Sequence, residues 1–413
     1  MSDDLFGLSS ELKIRKSKVR DIFTPHTPID EINHLFGREE DVKRMISIIN
    51  SPGQHILVYG DRGVGKTSLA KTTCSLILNR IGKGNFFTKS CDSGDSFSTL
   101  FIEPLEYSGI NCFLQNETRS SKQKGSAGLN VQVVSAGLES ERESSTTYSN
   151  SLNLDSPSWV AQKLKKLDCI YLIDEVDTLV NEQDQHKLAE LIKALSDSGS
   201  KFKIIIVGIA KTASELTSGH KSIQRCLKEI HLERMSDDDI RKFIVNGMNK
   251  IESKRIPNEE VVDKIVDISS GFPHFAHLIC LKCAEIAVTN DRKFIELNML
   301  DDALIEVAKD SESTLSNTLN TMLCTTKSPQ EYKLILLAAS YFQKKDLRSS
   351  ELSKKIHELY GIDISTRTLS SRLSKLVKSY DNSTILTRIT PGCYAFSDPR
   401  MPSFIKIFFN QQA

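Results

Sequence analysis

The stretch that most restricts this chain is "HILVYGDRGVGKTSLA", residues 55–70: a short apolar run, a glycine-rich turn, and a lysine and threonine that open a helical pattern. Strand, turn and helix in that order, with G-x-x-x-x-G-K-[ST] from Gly60 to Thr67, are what a phosphate-cradling loop requires. The glycines let the backbone curl so that its N–H groups converge on an anion, and the start of the helix adds a favourable field. The backbone of Gly60, Asp61, Arg62, Gly63, Val64 and Gly65 would then wrap the phosphates of a nucleotide. Lys66 would reach the β- and γ-phosphates, Thr67 would place its hydroxyl on Mg²⁺, and Ser68 would complete the nucleotide-binding set.

The surrounding texture is alternating. Helix "REEDVKRMISIIN" precedes the loop. Strand "NFFTKSC", strand "CIYLIDE", helix "DQHKLAELIKALSD" and strand "KFKIIIVGIA" follow it. Apolar strands interleaved with amphipathic helices predict an α/β fold with a parallel sheet covered on both faces. Between the second and third strands, residues 114–157 hold ten serines around a short β-like "LNVQVVS". Such a composition builds no core of its own. It predicts a surface loop or a hairpin on the sheet rim that contacts a partner or DNA.

"CIYLIDEVD" supplies the companion motif: four apolar residues end in Asp174 and Glu175 at a strand tip. Asp174 would hold the Mg²⁺ shell, and Glu175 would orient or deprotonate the attacking water. The alternative is a strand capped by two exposed acids. A carboxylate pair of this kind favours hydrolysis over nucleotide storage.

With "LFGREEDVKRM" ahead of the loop, "LIDEVDTL", and a helical stretch after "IVGIA", the chain resembles AAA+ ATPases of the origin-recognition initiator type. It is also similar to STAND signalling ATPases and to the ATPase subunits of some transposition systems. The resemblance spans about residues 35–325 and, more weakly, the C-terminus. It implies a P-loop parallel-sheet AAA+ core, an all-α lid and a C-terminal winged-helix domain. The expected division is an N-terminal arm (1–34), the core (35–232), the lid (233–325) and the winged helix (326–413). It implies ATP and Mg²⁺ as cofactors and places Phe36, Gly37 and Arg38 against the adenine. In "GHKSIQRCLKEIHL" it makes Arg225 an arginine finger for a neighbouring subunit of a homo-oligomer; an internal salt bridge is the other reading. The lid helix would start at Gly271-Phe272-Pro273-His274, with Pro273 at the base and His274 toward the phosphates. This chain has no arginine at that point, and Lys211 or Thr212 would stand in for the usual asparagine sensor.

That lid helix also answers a question raised by "HFAHLICLKC". His274, His277, Cys280 and Cys283 are metal-ligand types three residues apart. On one helix, however, steps of three drift by about 60° each and the outer pair stands about 13 Å apart along the axis. One zinc needs all ligands within about 2.3 Å, so packing is the better reading.

From Ser328 onward, thirteen Lys/Arg stand against seven Asp/Glu in a chain of net charge +1. Three short helical patterns end in "STRTLSSRLSKLVKSY", with Leu369, Leu373 and Leu376 inward, and "ILTRITPGCYAFSD" follows as a hairpin. Arg367, Arg372, Lys375 and Lys378 on the third helix, with Arg388 on the hairpin, would meet duplex DNA. A winged helix used for an effector-protein contact, in a signalling or phage-defence switch, is the alternative. The first sixteen residues show no secretory pattern and no run is long enough to span a bilayer, so a cytoplasmic protein without membrane partners is expected.

Overall fold

The computed structural model describes residues 10–25, 35, 37–81, 85–110, 112, 153–179, 181–209, 221–251, 255–310, 313–342, 346–378 and 384–410. Phe36, Lys211, Thr212 and residues 114–152 of the serine-rich stretch lie outside them. The chain packs as two compact units. One is drawn from residues 45–58 and 77–230, the other from 1–44, 59–76 and 231–413.

In chain order the first elements are α1 (Ser10–Ile22), α2 (Glu39–Asn50), β1 (His55–Tyr59) and α3 (Lys66–Ile81). β2 (Asn85–Ser90) is followed by two short helical segments, Phe97–Leu100 and Ile102–Tyr107. Next come α4 (Pro157–Leu164), β3 (Cys169–Asp174), α5 (Glu182–Asp197), β4 (Lys203–Gly208) and β5 (Leu227–His231). α4 starts where Ser156 accepts the Trp159 N–H and Pro157 takes the first helical position, where its missing N–H costs nothing. Asn181 caps α5 in the same way through the Gln183 N–H.

The five strands form one sheet in the order β2-β3-β4-β1-β5, with β3 parallel to both neighbours. All six residues of β3 are buried. A continuous apolar run is what a strand covered on both faces needs. β2 is half exposed, as suits an edge. The core gathers around Tyr171, whose ring meets Phe101 and Phe202 and whose hydroxyl donates to the Leu100 carbonyl. At the start of β1, the buried His55 accepts the Ile204 N–H on Nδ1. Burial, with Lys203 nearby, lowers its pKa to about 3, so it stays neutral.

The other unit continues with α6 (Asp237–Lys250), β6 (Ile256–Pro257), α7 (Glu259–Ser269), α8 (Pro273–Thr289), β7 (Phe294–Ile295), α9 (Leu297–Asp310) and α10 (Ser313–Thr325). This region is not all-α as expected: β6 and β7 pair in parallel, Ile256 opposite Phe294 and Pro257 opposite Ile295. Two residues per strand are too few to leave an alternating signature in sequence. α1 lies on α8, with Val19 and Phe23 fully buried. Phe23 sets its edge against Phe243 and His277, the Thr24 N–H donates to His277 Nδ1 at 3.0 Å, and Arg20 pairs with Glu285. Cys280 and Cys283 are wholly inside α8's packing, where burial pushes the Cys283 thiol up to about 12.

The chain ends with α11 (Pro329–Ser340), β8 (Leu347–Arg348), α12 (Ser349–Tyr360), α13 (Thr366–Leu376), β9 (Leu386–Thr390), β10 (Cys393–Phe396) and α14 (Met401–Asn410). Leu369, Leu373 and Leu376 are buried, and the hairpin turns at Pro391-Gly392, with Gly392 at φ 77. β8 joins the hairpin in a three-stranded sheet of order β8-β10-β9. α14, a helix that the sequence pattern does not announce, is buried along nearly its whole length. It packs on α9 and α11. Its Lys406 donates to the Asp267 carbonyl and carboxylate at 2.9 and 2.8 Å, and Ser403 donates to the Ser269 carbonyl.

Candidate nucleotide site

The loop after β1 holds Gly60, Gly63 and Gly65 at φ 157, 84 and 93. These conformations exclude most side chains, and a Cβ on Gly60 would run into the Leu232 carbonyl. Lys66 opens α3, and its Nζ donates to the carbonyls of Gly60 and Asp61 at 3.1 and 2.9 Å. The ammonium thus closes the loop's own curl. Arg62 is exposed; Thr67 and Ser68 are half-buried.

The loop's neighbours within its unit are specific. Arg38 is buried and donates through Nη2 to the carbonyls of Glu233, at 2.5 Å, and Val64, at 3.4 Å. Burial lowers its pKa, opposed by Asp41 and Asp239. Gly37, at φ 66, lies so near Asp239 that a Cβ would come within 2.6 Å of the carboxyl carbon. Pro273 stands beside Gly65. His274 lies beside Gly63 with its ring Nδ1 at 3.0 Å from the Pro25 carbonyl. Arg234 reaches Asp61 Oδ2 at 3.5 Å and stacks over Phe272 at 4.3 Å. Arg400 also lies at the loop, its Cδ 3.3 Å from the place a Gly63 Cβ would take. Arg234 and Arg400 carry no motif signal in the sequence; only the fold brings them to the loop.

In the sheet unit, Asp174 ends β3 and is 8% exposed. Its Oδ1 accepts the Glu175 N–H at 2.9 Å, and its carbonyl accepts the Cys91 N–H. Glu175 is exposed and sits in the left-handed region, φ 56 and ψ 36, a conformation costing a non-glycine residue about 1 kcal/mol or more. Ser90, opposite Asp174 in the sheet register, donates its hydroxyl to Glu175 Oε2 at 3.0 Å. Its only sequence signal is a polar residue ending β2. Arg225 ends a 3₁₀ turn, is 70% exposed, and pairs with Asp197 at 2.7 Å.

Of the C-terminal cations, Arg367, Lys375, Lys378 and Arg388 are exposed. Arg372 is not offered in the way the sequence suggests. Its Nε donates to Glu331 at 2.7 Å, its Nη2 to Ser328, and its guanidinium lies over the Tyr332 ring.

A glycine-curled loop between strand and helix, and a buried strand that ends at Asp174 with Glu175 next in the chain, are the features of a P-loop ATPase on a five-stranded sheet. The sequence model of one family, described as an ATPase domain predominantly from Archaea, matches residues 35–276. That is more than half of the 413 residues, and the chain belongs to that ATPase family. No curated protein matches it in sequence. Among solved structures, the Aeropyrum pernix ORC2 protein in ADPNP–ADP complexes has a similar fold, with 12% identity and a TM-score of 0.51 over 95% of this chain and 98% of that one. The Aeropyrum pernix ORC1 protein in complex with DNA gives 14% identity and a TM-score of 0.48 over 94% and 95%. A Walker-type ATPase of Pyrococcus abyssi gives 16% and 0.47 over 92% and 99%. At such identities the likeness concerns the fold alone. Among the described residues, no helix is long and apolar enough to cross a membrane.

Proposed function

We propose that the protein is an ATP-driven switch that binds and hydrolyses Mg·ATP through Gly60–Ser68, Asp174 and Glu175, assembles as a homo-oligomer, and engages duplex DNA through its C-terminal region. The observation that carries this is the loop itself: left-handed glycines leading into a helix that opens on Lys66. Its N–H groups and the helix start suit phosphate oxygens, and Lys66 would exchange the Gly60 and Asp61 carbonyls for them. Thr67 and Asp174 offer the hard oxygen ligands that Mg²⁺ prefers; the ion would supply neutralising charge on the β- and γ-phosphates. Glu175, with one carboxylate oxygen held by Ser90, is suited to take a proton from water. Phe36, Gly37, Arg38 and Pro273 remain the proposed adenine side.

Arg225 is proposed to act at a neighbouring subunit's site. Its exposed pair with Asp197 is worth at most about 1 kcal/mol, so exchanging that partner is inexpensive. For the C-terminal region, three helices followed by a hairpin support a winged helix, and the surplus of six cations supports a phosphate backbone as partner. Arg367, Lys375, Lys378 and Arg388 carry that contact, and Arg372 chiefly braces α13 against α11.

A signalling switch is the second reading. It is favoured by one observation: Lys406 and Ser403 fasten α14 to α7, so the C-terminal region has an internal partner. ATP turnover with and without duplex DNA separates the two. The DNA reading expects duplex to stimulate hydrolysis. Slow turnover, tightly retained ADP and indifference to duplex would replace it with the signalling switch.

A further inference from the structure

We propose that Arg400 is a phosphate-binding residue of the nucleotide site, carried to the loop by the segment between β10 and α14. The inference rests on the reading of Gly60–Ser68 as the nucleotide loop. Arg400 lies outside residues 35–276, the part of the chain that the ATPase family describes.

Its side chain is 6% exposed. Nε and Nη2 donate to the two oxygens of Asp398 at 3.0 and 2.7 Å, a bidentate fork. The stem lies along Gly63, 3.3 Å from where a Cβ would stand, so only glycine admits the approach without displacement. The backbone on either side is fixed. Arg234 donates to the Pro399 carbonyl at 3.4 Å while its guanidinium faces Asp61 of the loop. The Met401 N–H donates to the Asp398 carbonyl, and α14 behind it is fastened to α7 through Ser403 and Lys406.

A guanidinium that forks onto a carboxylate fits a phosphate by the same geometry. The loop's N–H groups serve the inner phosphates of a nucleotide, so a donor arriving from outside the loop falls to the outermost one. Asp398 holds Arg400 in readiness, and a terminal phosphate would take the carboxylate's place. The C-terminal region would then respond to whether the nucleotide carries its third phosphate.

The test is a calorimetric titration of ADP and of a non-hydrolysable ATP analogue, with Mg²⁺, into wild type, Arg400→Gln and Asp398→Asn. Arg400→Gln is expected to weaken the analogue about tenfold or more and ADP little, the scale of one charge-assisted hydrogen bond. Asp398→Asn, lacking the competing carboxylate, is expected to bind the analogue more tightly. An unchanged ratio of analogue to ADP affinity in Arg400→Gln overturns the proposal. Should that variant not fold, amide exchange of Asp398–Asn410 in wild type decides: slower with the analogue than with ADP supports it, and equal exchange overturns it. Wild type that binds neither nucleotide removes the reading of the loop, and this inference with it.

Discussion

The phosphate loop and the polar face of α13 are each set by a handful of residues, but they hold their information in different places. In the loop it is in the backbone. Gly60 and Gly63 take conformations that other residues rarely adopt, and a side chain on either would press on Leu232 or Arg400. Spacing alone therefore fixes the course of the loop's backbone. On α13 the helical period correctly turns Leu369, Leu373 and Leu376 inward, yet the use of each outward cation depends on partners remote in sequence. Arg372 spends its charge on Glu331, 41 residues earlier, and Arg367 does not. A conformation written in backbone survives reading from sequence, and the partners of long charged side chains are only half legible.

Arg225 sits between these cases, and the largest effect is expected there. Arg225→Ala and Lys66→Ala should each be nearly inactive alone. Mixed, they should recover part of the wild-type turnover, since one subunit lends the arginine and the other the intact loop. Steady-state phosphate release across mixing ratios checks this; no recovery from co-assembled, folded variants would return Arg225 to its pair with Asp197.

The α13 surface is sharpened by salt. Replacing Arg367, Lys375 and Lys378 with glutamine should flatten the slope of log affinity for duplex against log salt by about 0.9 for each phosphate that is no longer neutralised. Arg372→Gln should leave that slope alone. An equal change from Arg372→Gln would erase the distinction drawn between these cations.

A third outcome concerns the strand that delivers the loop. His55 is neutral in the fold, with a pKa lowered to about 3 against about 6.5 when unfolded. Protons therefore bind the unfolded chain first, and stability present above pH 6.5 is lost as pH falls toward 3. Between pH 7 and 5 the loss from this group is about 2 kcal/mol. Denaturant unfolding of wild type and His55→Gln at both pH values should show the drop in wild type and a smaller one in the variant.

The smallest effect belongs to Arg372. Its replacement by glutamine should lower the stability of the C-terminal region by about 1 kcal/mol or less, read from a shifted unfolding midpoint. A loss several times larger would mean that the ion pair and the Tyr332 stacking form part of that region's core.

The same contrast explains which parts of the fold are visible in the sequence. β1, β3 and β4 announce themselves because strands buried on both faces need unbroken apolar runs, and α8 because of its length and Pro273 start. β5, "LKEIH", is short and mixed, and β6 and β7 are two residues each, so none leaves a periodic trace. α14 is ten residues long and mostly apolar, and so short an apolar run does not tell helix from strand in sequence. In the candidate site, Gly60, Lys66, Asp174 and Glu175 follow from motif spacing. Ser90, Arg234 and Arg400 do not, because their relation to the site arises only when distant segments fold together.

The proposed function stands on a division of labour between a loop that holds nucleotide and a carboxylate that works on water. ATP binding and phosphate release measured side by side for wild type, Lys66→Ala and Glu175→Gln test it most directly. Lys66→Ala should lose binding, because the loop loses its cation. Glu175→Gln should bind as wild type does and turn over about 10² times more slowly or worse, the scale of a missing general base. Equal loss of binding in both variants, or full turnover by Glu175→Gln, would contradict it.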